Sequence, residues 1–179
     1  MSPSFALFQT QIGTGGIAWS ERGVRGVQLP EVEAPRVRAR MKRRFPDAVE
    51  ATPSPDIQQA IARMVALLNG ETTDLTSVQL DLQDVPTFDR DVYAIARTIP
   101  IGKTVAYGEI ARRLGNVRLA RDVGQALARN PFPIVVPCHR VIAADGRLGG
   151  FSARGGVNTK QRLLAIERAK VGWQLRLEV

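Results

Sequence analysis

The only cysteine and the only histidine of this 179-residue chain are neighbours, Cys138-His139, and Arg140 follows them. A thiolate is a strong nucleophile, imidazole is a base near neutral pH, and nearby positive charge favours the thiolate. The three residues together hold the parts of an activated cysteine. The competing reading is inert packing, the commoner fate of a buried free cysteine. Ile134–Val136, an apolar run fenced by Pro133 and Pro137, predicts a short buried extended segment that delivers Cys138 to a pocket floor. Adjacent side chains diverge in an extended chain, so a water bridge between thiol and imidazole is expected rather than a direct hydrogen bond.

An activated histidine needs a group to orient it. In the helix expected at about 159–170, Glu167 follows Leu163 by four residues and Leu164 by three, which puts its carboxylate on the apolar face. A carboxylate facing a core is costly unless paired, and His139 is the obvious partner. The alternative, Glu167 at the edge of that face and reaching solvent, stays open on periodicity alone.

The elements before Cys138 are helical. Residues 87–98 put Phe88, Val92, Ile95 and Ala96 on one face. PIGKT is a loop, after which Thr104 can cap a helix running through Val105, Ile110, Ala111 and Leu114 to Gly115. Beyond the turn GNVR, Leu119, Val123, Ala126 and Leu127 mark a second helix, which Asn130-Pro131 stops. Two short helices joined by a tight glycine turn make a helix-turn-helix pattern. Many such hairpins bind nothing. If this one binds DNA, its second helix offers Arg118, Arg121 and Arg129.

The first half has a different character. The first 30 residues contain apolar and β-branched stretches broken by glycines, and Gly13, Gly15, Gly16 and Arg22-Gly23 suggest turns of a strand meander. The Arg- and Lys-rich residues 31–45 read as a surface helix. Residues 55–69 read as a helix with Ile57, Ile61, Met64, Val65 and Leu68 at helical spacing and Gly70 as its C-terminal cap. LTSVQLDL alternates like a strand, and DVPTF reads as a linker, with the boundary near residue 85.

Charge divides at the same place. Met1 to Val85 carries nine Lys and Arg against ten Asp and Glu, and Pro86 to Val179 carries sixteen against seven. The whole net charge of +8 therefore belongs to the second half. A polyanion such as DNA or RNA fits that half, and a basic surface kept for solubility is the alternative. One cysteine cannot form an internal disulfide, and with one histidine it falls short of a structural zinc site. No cofactor is expected. The chain has no run of about 18 apolar residues, the length of a membrane-crossing helix. Its start lacks the basic and apolar regions of a secretory signal, so a reducing, cytoplasmic setting is expected.

The segment NPFPIVVPCHRVIAADGRLGGFS, Asn130 to Ser152, strongly resembles the active-site region of the O6-alkylguanine-DNA alkyltransferases. IPIGKTVAYGEIARRLG upstream and KQRLLAIE downstream resemble the family in order and spacing, and the likeness runs from about Phe88 to Arg168. The resemblance implies DNA repair by direct reversal. In one irreversible turnover, Cys138 takes an alkyl group from O6-alkylguanine, or from O4-alkylthymine as a second candidate, after the base is flipped from the duplex. It implies His139 as water-relayed base, Glu167 as the group holding its tautomer, and Asn130 as a hinge asparagine. Arg121 would enter the duplex and Tyr107 would help rotate the nucleotide. Val141, Ser152 and Lys160 would surround the alkylguanine. Two departures bear on substrate range: the loop GGFSARGGVNTK is slightly longer than in several relatives, and Phe151 stands where relatives often carry tyrosine. The partner implied is double-stranded DNA with alkylated bases, met by a monomer.

The expected fold is α/β (α+β): residues 1–85 a sheet-containing N-terminal supporting domain, and residues 86–179 a mainly helical domain for DNA binding and alkyl transfer. Two other functions remain. A DNA-binding module without chemistry would hold the lesion and leave Cys138 unmodified. A cysteine hydrolase using Cys138, His139 and Glu167 would turn over more than once, though such enzymes usually draw cysteine and histidine from distant parts of the chain.

Overall fold

The computed structural model describes residues 3–150, 152 and 155–171. The chain divides into two compact units, Met1–Asp84 with Pro131–Val135, and Val85–Asn130 with Val136–Val179.

In the first unit, β1 (Ser4–Thr10), β2 (Gly13–Ser20) and β3 (Gly23–Glu31) form an antiparallel meander. The short β4 (Val49–Glu50) adds parallel to β1, giving the order β3-β2-β1-β4. The hairpin between β1 and β2 turns at Thr10–Gly13, where Gly13 has φ 129°. Gly15 and Gly16 were expected in turns and instead lie inside β2. A Cβ on Gly15 would meet the Phe8 ring at 2.5 Å, and one on Gly16 would meet Met41 at 2.8 Å. Both glycines therefore serve close packing on the strand.

The basic helix α1 (Ala34–Arg44) is not purely a surface element. Val37 and Met41 are fully buried and pack with Phe5 and Ala18. Helix α2 (Pro55–Leu68) buries Ile57, Met64 and Leu68 as their spacing predicts, and Gly70 ends it in a left-handed conformation. LTSVQLDL is not a strand. Its backbone pairs with the sheet at one bridge, Val24 to Leu80, Asp81 accepts from Ser20 of β2 at 2.6 Å, and the buried Leu75 and Val78 lie three residues apart rather than two.

The second unit opens with α3 (Thr87–Arg97), which buries Val92, Ala96, Tyr93 and the carboxylate of Asp89. Thr104 does not cap a helix. Val105–Ala106 is extended as β5, pairing parallel with β6 (Val141–Ile142), and this pairing delays the start of α4 to Tyr107–Arg113. Gly115, at φ 93°, ends the turn after α4. Asn116 then caps a 3₁₀ turn, Val117–Leu119, by accepting the Arg118 N–H at 3.0 Å. Helix α5 (Ala120–Ala128) follows and buries Val123, Ala126 and Leu127. The helix-turn-helix is therefore present.

The approach to Cys138 is not extended. Residues 133–135 form a turn with Ile134 at φ 77°, and Cys138–Arg140 is a 3₁₀ turn. Helix α6 runs Gly156–Ile166, earlier at both ends than expected. Gly155, at φ 86°, starts it, and Arg168, at φ 54°, closes it. That closure lets the N–H groups of Arg168 and Ala169 return to the carbonyls of Ala165 and Leu164.

Candidate active site

Cys138, His139 and Arg140 share the short 3₁₀ turn, so all three are fixed by one piece of backbone and all are buried. Their polar ends go to different partners. His139 Nε2 and Glu167 Oε1 are 2.8 Å apart. Arg140 grips the same carboxylate with a fork, Nε to Oε2 at 2.9 Å and Nη2 to Oε1 at 2.9 Å, and its Nη1 donates to Ile99 O at 2.6 Å. Glu167, the residue that caps α6, is thus turned inward and is 7% exposed.

Protonation follows from these contacts. Burial works to raise the Glu167 pKa, yet hydrogen bonds from His139 and Arg140 hold the carboxyl down at about 2. It is therefore a carboxylate, which can only accept, so His139 Nε2 must carry the proton and Nδ1 the lone pair. Nδ1 is buried and has no hydrogen-bond partner among the described residues. Burial also lowers the His139 pKa, against the pull of Glu167, which keeps the ring a neutral base.

Burial pushes the Cys138 thiol pKa up. Against it act a hydrogen bond from the Asn130 side chain, the charge of Lys160, and the backbone N–H groups of Cys138 and His139. The nearby positive charge that favours the thiolate is thus Lys160, while Arg140 is committed to Glu167. Asn130 Nδ2 also donates to Val136 O at 2.9 Å, which ties the end of α5 to the residue two before the sulfur.

Lys160 is fully buried on α6. Its Nζ donates to Val141 O at 2.6 Å, lies 3.4 Å from the Tyr107 hydroxyl, and sits 5.7 Å from the centre of that ring. Burial draws its pKa down to about 8 and raises that of Tyr107. The fold therefore gathers Cys138, His139, Glu167, Asn130, Tyr107, Val141 and Lys160 in the second unit. Ser152 is exposed, and its hydroxyl donates to Ala128 O at 2.6 Å. Phe151 lies outside the described residues. Arg118 and Arg121 are exposed around the start of α5, whereas the Arg129 guanidinium is held by Asp89 at 2.8 and 3.1 Å.

Sequence reasoning missed the Arg140 fork, the Asp89–Arg129 pair and the role of Gly149. The first had a signal, since an arginine within a buried run must find an acceptor. Asp89 lies one position beyond Phe88 on α3, and its burial depends on a partner 40 residues away. Gly149, at φ 69°, supplies a backbone conformation that L side chains rarely adopt, at a point where an added Cβ would lie 3.4 Å from the Tyr107 hydroxyl. A cleft of about 550 Å³ in the first unit, lined in part by Trp19, Glu21, Asp56 and Arg63, contains neither thiol nor imidazole.

Fold and site together define a helix-turn-helix protein with a buried Cys–His–Glu array. Residues 87–169 match the family model for the 6-O-methylguanine DNA methyltransferase DNA-binding domain. The chain is 36% identical to the bifunctional transcriptional activator/DNA repair enzyme Ada of Escherichia coli over 91% of its own length, and spans 45% of that protein. It is 41% identical to the methylated-DNA–protein-cysteine methyltransferase of Mycobacterium tuberculosis, over 74% of this chain and 78% of that one. The crystal structure of Mycobacterium tuberculosis OGT in complex with DNA superposes with a TM-score of 0.75 at 32% identity, covering 92% of each chain. The chain belongs to the methylated-DNA–protein-cysteine methyltransferase family.

Proposed function

We propose that this protein repairs DNA by moving an alkyl group from O6 of guanine to Cys138, once per molecule. One observation carries the reading. His139, locked by Glu167, has its lone pair on Nδ1 in the same buried turn as the thiol. That pairing suits a base working through one water. The Cys138 proton passes by that water to Nδ1, and the thiolate attacks the alkyl carbon. As the C–S bond forms the C–O bond breaks, its electron pair stays on guanine, and guanine takes a proton from the Tyr107 hydroxyl, which Lys160 beside it restores. The product is a thioether with no leaving group of its own, so the thiol is not regenerated.

The base must leave the stack to reach a buried sulfur, at a cost of a few kcal/mol. Arg121 enters the vacated space, Arg118 binds phosphate, and Tyr107 helps turn the nucleotide out. Val141, Ser152 and Lys160 surround the flipped base. Arg129 has its charge engaged by Asp89, which makes it a weaker candidate for DNA than the other two arginines. The protein acts as a monomer in the cytoplasm on double-stranded DNA, and O4-alkylthymine is a second substrate to try.

The test is titration with a duplex containing O6-methylguanine, followed by intact mass. One methyl per chain, located on Cys138, is expected. Cys138→Ala should keep salt-dependent DNA binding and gain no mass. Tight binding by the unaltered protein without a mass change would point to a binding module, and more than one turnover to a hydrolase.

A further inference from the structure

We infer that Asp89 is a positioning residue for the thiol: by gripping Arg129 at the end of α5, it holds Asn130 against Cys138. The inference rests on the reading of Cys138 as the nucleophile.

Asp89 and Tyr93 stand one turn apart on α3, and both hold the last turn of α5. The Asp89 carboxylate, 3% exposed, receives Arg129 Nη2 at 2.8 Å and Nε at 3.1 Å. The Tyr93 hydroxyl donates to Ala126 O at 2.9 Å, the same carbonyl that accepts the Arg129 N–H at 3.2 Å. Arg129 is the capping residue of α5, and Asn130 follows it directly. The Asn130 amide then bonds both Val136 O and the Cys138 sulfur. The path from α3 to the sulfur is therefore continuous: carboxylate, guanidinium, one peptide unit, amide, sulfur.

Packing alone does not explain this arrangement. An apolar residue at 89 would cover α5 without the cost of burying a carboxylate. A two-pronged ion pair adds a fixed direction, because guanidinium and carboxylate meet in one plane. The fixed direction sets where the next residue places its amide.

The test uses the whole protein without DNA and follows alkylation of Cys138 by iodoacetamide against pH. The groups around the sulfur are Lys160 from α6, Tyr107 from α4, Tyr93 from α3 and His139 of its own turn. Asp89→Asn removes a negative charge, and its direct field effect would move the pH midpoint down. Loss of the Asn130 hydrogen bond moves it up, so the sign separates the two causes. The expected result is an upward shift of about one unit, the scale of one hydrogen bond to a thiolate. Asp89→Glu should recover part of it, and Asn130→Ala should reproduce it. Asp89→Asn combined with Asn130→Ala should shift no further than Asn130→Ala alone, because the two act in series.

Arg129→Lys keeps the charge but not the fork. It should show a smaller upward shift, and it serves if Asp89→Asn fails to fold. On methylated duplex, transfer by Asp89→Asn within the saturated complex should slow about tenfold, the rate equivalent of its one-unit shift. An unchanged or lowered midpoint in the Asp89 and Arg129 variants would overturn the inference, as would shifts that add to that of Asn130→Ala. Failure of the unaltered protein to take methyl from DNA would instead count against the proposed function and leave the iodoacetamide result readable.

Discussion

At the residue scale the decisive group is Glu167, because one carboxylate fixes both the tautomer of His139 and the position of Arg140. Glu167→Gln tests this. The amide leaves the buried Arg140 guanidinium without a counter-charge, which should cost about 3 kcal/mol in urea unfolding. It can also present either oxygen or nitrogen to Nε2, so the tautomer is no longer imposed, and single-turnover transfer should fall by roughly 10²-fold or more. The pH dependence has a defined sign. Glu167 is held at about 2, below its ordinary 4.5, so its stabilisation is present above 4.5 and is lost as pH falls toward 2. The His139 pKa lies below its ordinary 6.5, so the imidazole stays a base down to 6.5. The transfer rate should hold between pH 7 and 6.5 and decline only in more acidic buffer, as rapid-quench measurements on methylated duplex would show.

At the element scale, the clearest strain sits at the end of α6, where Arg168 adopts the left-handed conformation that glycine usually supplies. Arg168→Gly keeps both closing backbone hydrogen bonds and removes the Cβ penalty, so it should raise stability by about 1 kcal/mol in urea titration without altering transfer. Local signals made many elements legible beforehand: Gly70 after α2, Gly115 after α4, the apolar stripe of α5, and the i−3 and i−4 spacing that turned Glu167 inward. What escaped were features decided by distant partners. Gly15 and Gly16 look like turn residues until the Phe8 ring and Met41 occupy the space their side chains would need. Val105 continues a helical pattern until Val141 pairs with it. The positive φ of Ile134 has no local cue, since a β-branched residue rarely adopts it. Lys160, a residue type almost never fully buried, was placed near the site by the family resemblance alone, and no local pattern showed that it would meet Val141 O and Tyr107.

At the scale of the whole molecule, the second half carries all of the excess positive charge, and the helix-turn-helix lies within it. Binding to DNA should therefore weaken steeply with salt. In a Cys138→Ala background, Arg118→Ala should lower the slope of log Kd against log salt by about one, while leaving sequence preference as it was. Fluorescence anisotropy on a labelled duplex would measure it. The division of the chain also governs what could be cut from it. Pro131–Val135 belongs with the first unit, where Pro131 O accepts the Val27 N–H at 2.8 Å, and the chain then returns to deliver Cys138. Phe132, Ile134 and Val135 are each no more than 2% exposed there. A gene fragment beginning at residue 85 would carry the reactive turn but strand those three apolar side chains in water. Such a fragment would be sticky, prone to aggregate until that five-residue excursion was rewritten in polar residues. The polypeptide thus leaves the second unit after Asn130 and returns to it at Val136, so the residues just before the cysteine are the ones a trimmed second unit would have to replace.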